Sequence, residues 1–416
     1  MTSTIFQDPS YEYRLNCDVL LVSNLYPPIQ IGGYEIAAYD VAAGLIMNNM
    51  NVSVLTSDYR AQELSSTEPN VFRVLKLTSS WFGDYPVRNA LQNMQYNLDT
   101  ALDMIDRLQP KLVYAWNQAN LGMGVLEAAV IKGVPILHHI MGVDLLSYRD
   151  EQPQSLRNRI MAALNRITSP QSRSLVLQER HLRNIIFLSH FMKVHYESQG
   201  VSPGFANVVY PGIAVERVRL KSDYRLTNKT VRVAYVGQLA PHKGVHHLKQ
   251  ALNEAKHKID GFDIHLTLYG DGDPRFVQDL LSPSDIIIDH KGFCDREHLY
   301  NRLCDHDVGV FTSTWEEPFG IAQIELMAAG LPLLSSATGG AAEPVRHEVN
   351  ALVYQSNDPH DLVDKFVSLV NDYETKAASM GKSARRMVEE AFNNKQMHQD
   401  ILNIIKGIIQ EPHRYV

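Results

Sequence analysis

The chain alternates short, almost wholly apolar runs with longer segments whose apolar residues recur at helical spacing. The first run, Asp18–Ser23 (DVLLVS), reads as a strand covered on both faces. A loop rich in Pro and Gly, 26–33, leads into a helical pattern over Tyr34–Asn48 and a second strand at Val52–Thr56. Leu112–Trp116 and Ile136–Ile140 read as later strands of the same sheet. Between them, Gly122–Lys132 reads as a helix stopped by Gly133 and Pro135. The pattern restarts at Val231–Val236, passes through the loop Gly237–His242 and enters a helix at Val245–Ala255. Strands are expected at Ile264–Tyr269, Ile286–Ile288, Val308–Phe311 and Leu333–Ser335, with helical segments between them. Repeated strand–loop–helix units mean parallel sheet. Two starts mean two Rossmann-like halves, with the seam in the polar stretch Pro211–Asn228.

Composition agrees with two globular domains. The chain has 416 residues, 45% of them apolar, which argues against a disordered chain. A formal charge of −7 gives no support to nucleic-acid binding. The three cysteines, Cys17, Cys294 and Cys304, form no CxxC pair and fit a reducing compartment. The first sixteen residues are polar, with no apolar core of a secretory signal. No uncharged apolar window reaches the roughly 18 residues needed to span a bilayer. A cytoplasmic protein is the expectation.

Four loops at the C-terminal ends of expected strands carry glycines or charges, the edge where open α/β sheets bind ligands. In Thr314–Gly330 (TWEEPFGIAQIELMAAG), seven residues separate Glu317 from Glu325. Ile321–Ala329 has helical spacing and stops at Gly330, so Glu325 lies on the helix and Glu317 in the loop before it. The N–H groups of Phe319, Gly320 and Ile321 then form a helix N-terminus suited to an anion. A surface helix with solvated glutamates is the bland alternative. Gly237–Gly244 (GQLAPHKG) places Lys243 beside the next helix start, suited to a phosphate, though it lacks P-loop spacing. Gly32 and Gly33 allow close backbone approach after the first strand, without the GxGxxG fingerprint. Thr338–Gly340 is the fourth loop.

The 17 histidines form no set with convincing metal spacing. His242, His246 and His247 lack a nearby carboxylate, and His138 and His139 point to opposite faces of a strand. From Ser155 to His190 there are six arginines (157, 159, 166, 173, 180, 183) against one acid, Glu179. That stretch suits peripheral contact with an anionic membrane, or simply a core-facing helix with its arginines in water.

Several phrases together resemble the retaining glycosyltransferase family four, which has the GT-B fold. They are YPPIQIGGYE, VVYPGIAVERV, VAYVGQLAPHKGV, LTLYGDGD, HKGF and FTSTWEEPFGIAQIELMAAGLPLLSSATGGAAEPV. The resemblance runs over nearly the whole chain and is stronger in the C-terminal half. It implies an α/β protein with two Rossmann-like domains facing each other across a cleft. An acceptor-binding domain would span 1–215, a nucleotide-sugar domain 216–395, and a final helix, 396–416, would return to the first domain.

The resemblance also implies roles. Glu325 would bind the ribose hydroxyls and Glu317 the donor sugar. Phe319, Gly320 and Ile321 would contact sugar and diphosphate through backbone N–H groups, and Lys243 would neutralise the diphosphate. Gly32 and Gly33 would close over the phosphates, and Gly292 and Phe293 would pack on the base. Two positions depart from the family pattern. Gln238 stands where an Arg is usual, and Met141 stands where many members have an active-site His. His139 is the candidate to take that role, with His138 or no histidine as alternatives. The implied activity is metal-independent transfer of a hexose from a UDP- or GDP-sugar to an acceptor hydroxyl. The acceptor would be a glycan, lipid-linked or small-molecule, the anomeric configuration would be retained, and no cofactor is expected. A nucleotide-sugar epimerase of similar fold and an inactive nucleotide-sugar-binding protein are the competing readings.

Overall fold

The computed structural model describes residues 17–30, 33–65, 68–79, 85–116, 118–148 and 176–412. The chain divides into two compact units. The first takes residues up to Phe187, Val194–Val208 and the residues from Asp400 on; the second takes Leu188–Lys193 and Val209–Gln399.

The first unit is built on a parallel sheet of β1 (Val19–Ser23), β2 (Val52–Ser57), β3 (Val71–Leu75), β4 (Leu112–Trp116), β5 (Ile136–Ile140), β6 (Asn184–Phe187) and β7 (Phe205–Val208). Their order is β3-β2-β1-β4-β5-β6-β7. Every residue of β1, β4 and β5 is buried, which is why β1 and β4 read as almost continuous apolar runs, while β5 carries His138 and His139 inside the sheet. Helices α1 (Gly33–Met47), α2 (Ala90–Leu108) and α3 (Gly124–Lys132) connect them. Asn89 caps α2 by accepting the Gln92 N–H, and Gly133, at φ 65°, ends α3. Helix α4 (His190–Ser198) begins in the residues of the second unit and ends in those of the first.

The second unit holds a parallel sheet of β8 (Thr230–Val236), β9 (Asp263–Tyr269), β10 (Ile287–Gly292), β11 (Val308–Phe311), β12 (Leu333–Ser335) and β13 (Ala351–Val353), in the order β10-β9-β8-β11-β12-β13. Its helices are α5 (Val245–Lys256), α6 (Pro274–Leu280), α7 (Arg296–Arg302), α8 (Ile321–Ala328), α9 (Pro359–Asn371) and α10 (Tyr373–Ala391); α11 (Asn394–Gln410) starts here and runs into the residues of the first unit. Val231, Val233, Leu248, Leu252, Leu266, Val310 and Phe366 are among its core. Both sheets have the doubly wound order, which reverses beside the first strand, at β1/β4 and at β8/β11.

The strand expected at Ile286–Ile288 instead spans Ile287–Gly292. It lies at the sheet edge and is half exposed, so its second half, Asp289–Gly292, carries no apolar signal. Below the sheet, fully buried Asp307 binds Arg232 through both carboxylate oxygens at 2.9 Å and Lys221 Nζ at 3.1 Å. This cluster precedes β11, at the end of the strands opposite the glycine-bearing loops, and its geometry satisfies the charges it buries.

Candidate active site

The reversal between β8 and β11 explains how distant residues meet. Val233 pairs with Val308, so the loop after β8 and the loop after β11 leave the sheet side by side. Thr314 donates its backbone N–H to His242 O at 2.9 Å, and Thr312 Oγ1 donates to Lys243 O at 2.7 Å. These bonds stitch the two loops together. As a result Lys243 Nζ lies 2.6 Å from Glu317 Oε1. Glu317 is 5% exposed, so its charge needs this partner. Trp315 adds a face to the ammonium, with Nζ 5.3 Å from its ring centroid. His242 meets the same indole edge-on at 5.8 Å, and partial burial, with Lys243 beside it, lowers its pKa.

Glu317 is followed by the start of α8. Gly320 sits at φ 89° and no side chain caps the helix. A side chain there would be strained by that φ and would press its Cβ to 2.9 Å from the Phe311 ring. Among the described residues no acceptor takes the N–H groups of Phe319, Gly320 and Ile321. They form an open helix N-terminus beside Lys243. Phe319 contributes only its backbone there. Its ring is buried, 5.6 Å from Tyr210 and 5.4 Å from Phe392. Ser189 Oγ donates to Pro318 O at 2.6 Å and steadies the same turn. The Thr338–Gly340 loop supports it from beneath: Gly340 N–H donates to Glu317 O at 2.7 Å, and a Cβ on Gly340 would lie 2.1 Å from Pro318 O. These glycines serve close backbone packing.

Glu325 lies on α8, 6% exposed. Its Oε1 accepts from Tyr300 OH at 3.2 Å and faces Arg296 Nε at 3.7 Å. Burial raises its pKa, against the opposing pull of Arg296 and the Tyr300 hydroxyl. Gly292 ends β10 at φ 68°, and Phe293 projects, 65% exposed, with its N–H held by Asp271 at 3.1 Å. Gln238 is exposed, and its carbonyl accepts from Tyr235 OH at 2.9 Å. Sequence reasoning missed Trp315, Tyr300 and Arg296, because an aromatic or basic residue on a loop or helix carries no spacing signal of its own.

In the first unit, His139 is buried. Its Nδ1 is 2.7 Å from Tyr114 OH and its ring is edge-on to Trp116 at 4.3 Å. Burial pushes its pKa down to about 3 and that of His138 to about 4, so both imidazoles are neutral near pH 7. Both line a cavity of about 30 Å³ with Gln118, Met141 and Tyr196. Gly33 begins α1 and is exposed, whereas Gly32 lies outside the described residues. So do Arg157, Arg159, Arg166 and Arg173 of the arginine-rich stretch. Arg180 of that stretch is engaged by Glu127 at 3.1 and 2.9 Å. No described helix is long and apolar enough to cross a membrane, and no group of three or more metal-ligating side chains occurs among the described residues.

Residues 31–217 match the Glycosyltransferase Family 4 model, and residues 217–387 match Glycosyl transferases group 1. The chain is a family-4-like glycosyltransferase of the GT-B fold. This glycosyltransferase is 24% identical over 410 residues to an uncharacterized glycosyltransferase of Methanocaldococcus jannaschii, covering 93% of this chain and 97% of the relative. Sucrose-phosphate synthase from Thermosynechococcus elongatus shares its fold with a TM-score of 0.71 at 19% identity, over 95% of this chain and 99% of that one. Anabaena HepE, solved in complex with UDP and glucose, gives 0.65 at 19% identity, over 94% and 99%. Two matched glycosyltransferase models do not favour the epimerase reading of the glycosyltransferase's sequence.

Proposed function

We propose that the protein is a retaining hexosyltransferase that uses a nucleoside-diphosphate sugar as donor and a hydroxyl group as acceptor. The observation that carries this is the junction of Lys243, Glu317 and the open N-terminus of α8 at one sheet edge. That junction offers fixed positive charge to a diphosphate and a carboxylate to sugar hydroxyls. The solved HepE complex, with UDP and glucose bound on a similar fold, supports the donor class.

The barrier in such a transfer is departure of the diphosphate as the sugar takes on oxocarbenium character. Lys243 and the N–H groups of Phe319, Gly320 and Ile321 stabilise charge on the departing oxygens. Glu317 orients the sugar hydroxyls, Glu325 the ribose, and Gly292 and Phe293 the base. Gln238 donates a hydrogen bond without a charge. The leaving phosphate takes the acceptor proton as the acceptor oxygen attacks the same face, which retains the configuration. Glu317 is not a covalent nucleophile in this scheme. A buried, neutral His139 with Nδ1 engaged by Tyr114 supports the first unit's wall and does not shuttle protons. Lys243 supplies the charge that a metal provides elsewhere, so EDTA is expected to leave activity intact.

The test is donor consumption, with and without a panel of hydroxyl acceptors, followed by NMR of the product's anomeric configuration. Acceptor-dependent consumption of a UDP- or GDP-hexose with retention agrees with the proposal. Turnover that needs no acceptor, or an inverted product, contradicts it.

A further inference from the structure

Helix α7 brings two side chains to one atom. Arg296 and Tyr300 are four residues apart and so share a helix face. Both reach Oε1 of Glu325, Tyr300 OH at 3.2 Å and Arg296 Nε at 3.7 Å. Tyr300 is 4% exposed, and its carbonyl accepts the Arg219 N–H at 3.1 Å, which fixes the helix at this point. Glu325 Oε2 has no protein hydrogen-bond partner among the described residues. The same helix follows directly on Gly292 and Phe293, and Asp295 caps it by accepting the His298 N–H at 2.8 Å. One short helix therefore links the loop assigned to the base with the carboxylate assigned to the ribose.

A carboxylate this deep reverts to the neutral acid unless it is paired. The neutral acid is the weaker acceptor, since hydrogen bonds to an ionised oxygen are roughly twice as strong. We propose that Tyr300 and Arg296 are positioning residues for donor binding: by engaging Oε1 they keep Glu325 ionised and oriented, and they leave Oε2 as the acceptor for a ribose hydroxyl. The inference rests on the reading of Glu325 as the ribose ligand.

The experiment compares UDP with 2′,3′-dideoxy-UDP, and GDP with its dideoxy analogue, by isothermal titration calorimetry. The base and diphosphate are the same within each pair, so the affinity ratio isolates the ribose contact. The wild type should prefer the ribonucleotide by about tenfold or more, the size of a hydrogen bond to a charged group. Tyr300→Phe and Arg296→Gln should each shrink that ratio at least threefold and leave the dideoxy affinity unchanged. Arg296→Lys should recover part of the ratio. A merely structural lesion would weaken both ligands of a pair alike. An undiminished ratio in both variants overturns the positioning role while leaving the ribose reading intact. A wild type that binds both members of a pair equally removes the ribose role of Glu325 and this inference with it. Because Arg296 is partly exposed, its variants report on the role even if Tyr300→Phe fails to fold.

Discussion

Lys243 Nζ and Glu317 Oε1 lie 2.6 Å apart although 74 positions separate them in sequence. In the ligand-free protein each neutralises the other. Under the proposed function, the phosphates of a donor would compete with Glu317 for this lysine. Removing one partner leaves the other charged and poorly solvated. Lys243→Met should lower stability by about 1–3 kcal/mol, since Glu317 is buried and loses its partner. The double variant with Glu317→Gln should recover most of that loss. Urea unfolding of the four proteins checks this; additive losses would mean the two groups are not coupled.

Trp315 carries a prediction of its own. A cation over an indole at an exposed site is worth about 0.5–1 kcal/mol, so Trp315→Leu should weaken nucleoside-diphosphate binding about two- to fivefold. Trp315→Phe should lose less. Affinity for the uncharged nucleoside should not change. Equal weakening of nucleoside and diphosphate would assign Trp315 to the base or to folding instead.

Gln238 is exposed at the mouth of its loop, so a longer side chain fits there without repacking. Gln238→Arg should fold normally and bind UDP or GDP at least as tightly as the wild type. Loss of binding in a folded Gln238→Arg protein would mean the diphosphate lies elsewhere.

The buried histidines set an acid limit. His138 and His139 have folded pKa values of about 4 and about 3, below the unfolded value of about 6.5. In that window the unfolded chain binds more protons, so stability is complete above about pH 6.5 and falls as pH drops toward 4 and then 3. Each histidine contributes a slope of about 1.4 kcal/mol per pH unit there. His139→Gln, which keeps a partner for Tyr114 OH, should flatten the decline between pH 6 and pH 4 in denaturant titrations. An unchanged slope would show that other groups govern acid unfolding.

Particular residues show what was readable from sequence. Val308–Phe311 and Val231–Val236 were legible because central strands are almost wholly apolar, Arg232 being the one charge in these two runs. Lys243 and Glu317 were legible as loop residues because Gly, Pro and a helix start punctuate their segments. That they touch was not legible, since contact depends on β8 lying next to β11, an order that local periodicity does not contain. Edge strand β10 was half legible because its outer residues are polar. Phe319 was read for its N–H, while its ring belongs to the core. Tyr300 gave no sign in sequence, because its contact with Glu325 exists only where α7 meets α8.

The most direct measurement is turnover of Lys243→Ala at saturating UDP- or GDP-hexose with an active acceptor. If the Lys243–Glu317 junction stabilises the departing diphosphate, turnover falls by about 10²–10³, as expected when a fixed electrostatic stabiliser is lost. Wild-type turnover in a folded Lys243→Ala protein would contradict the account.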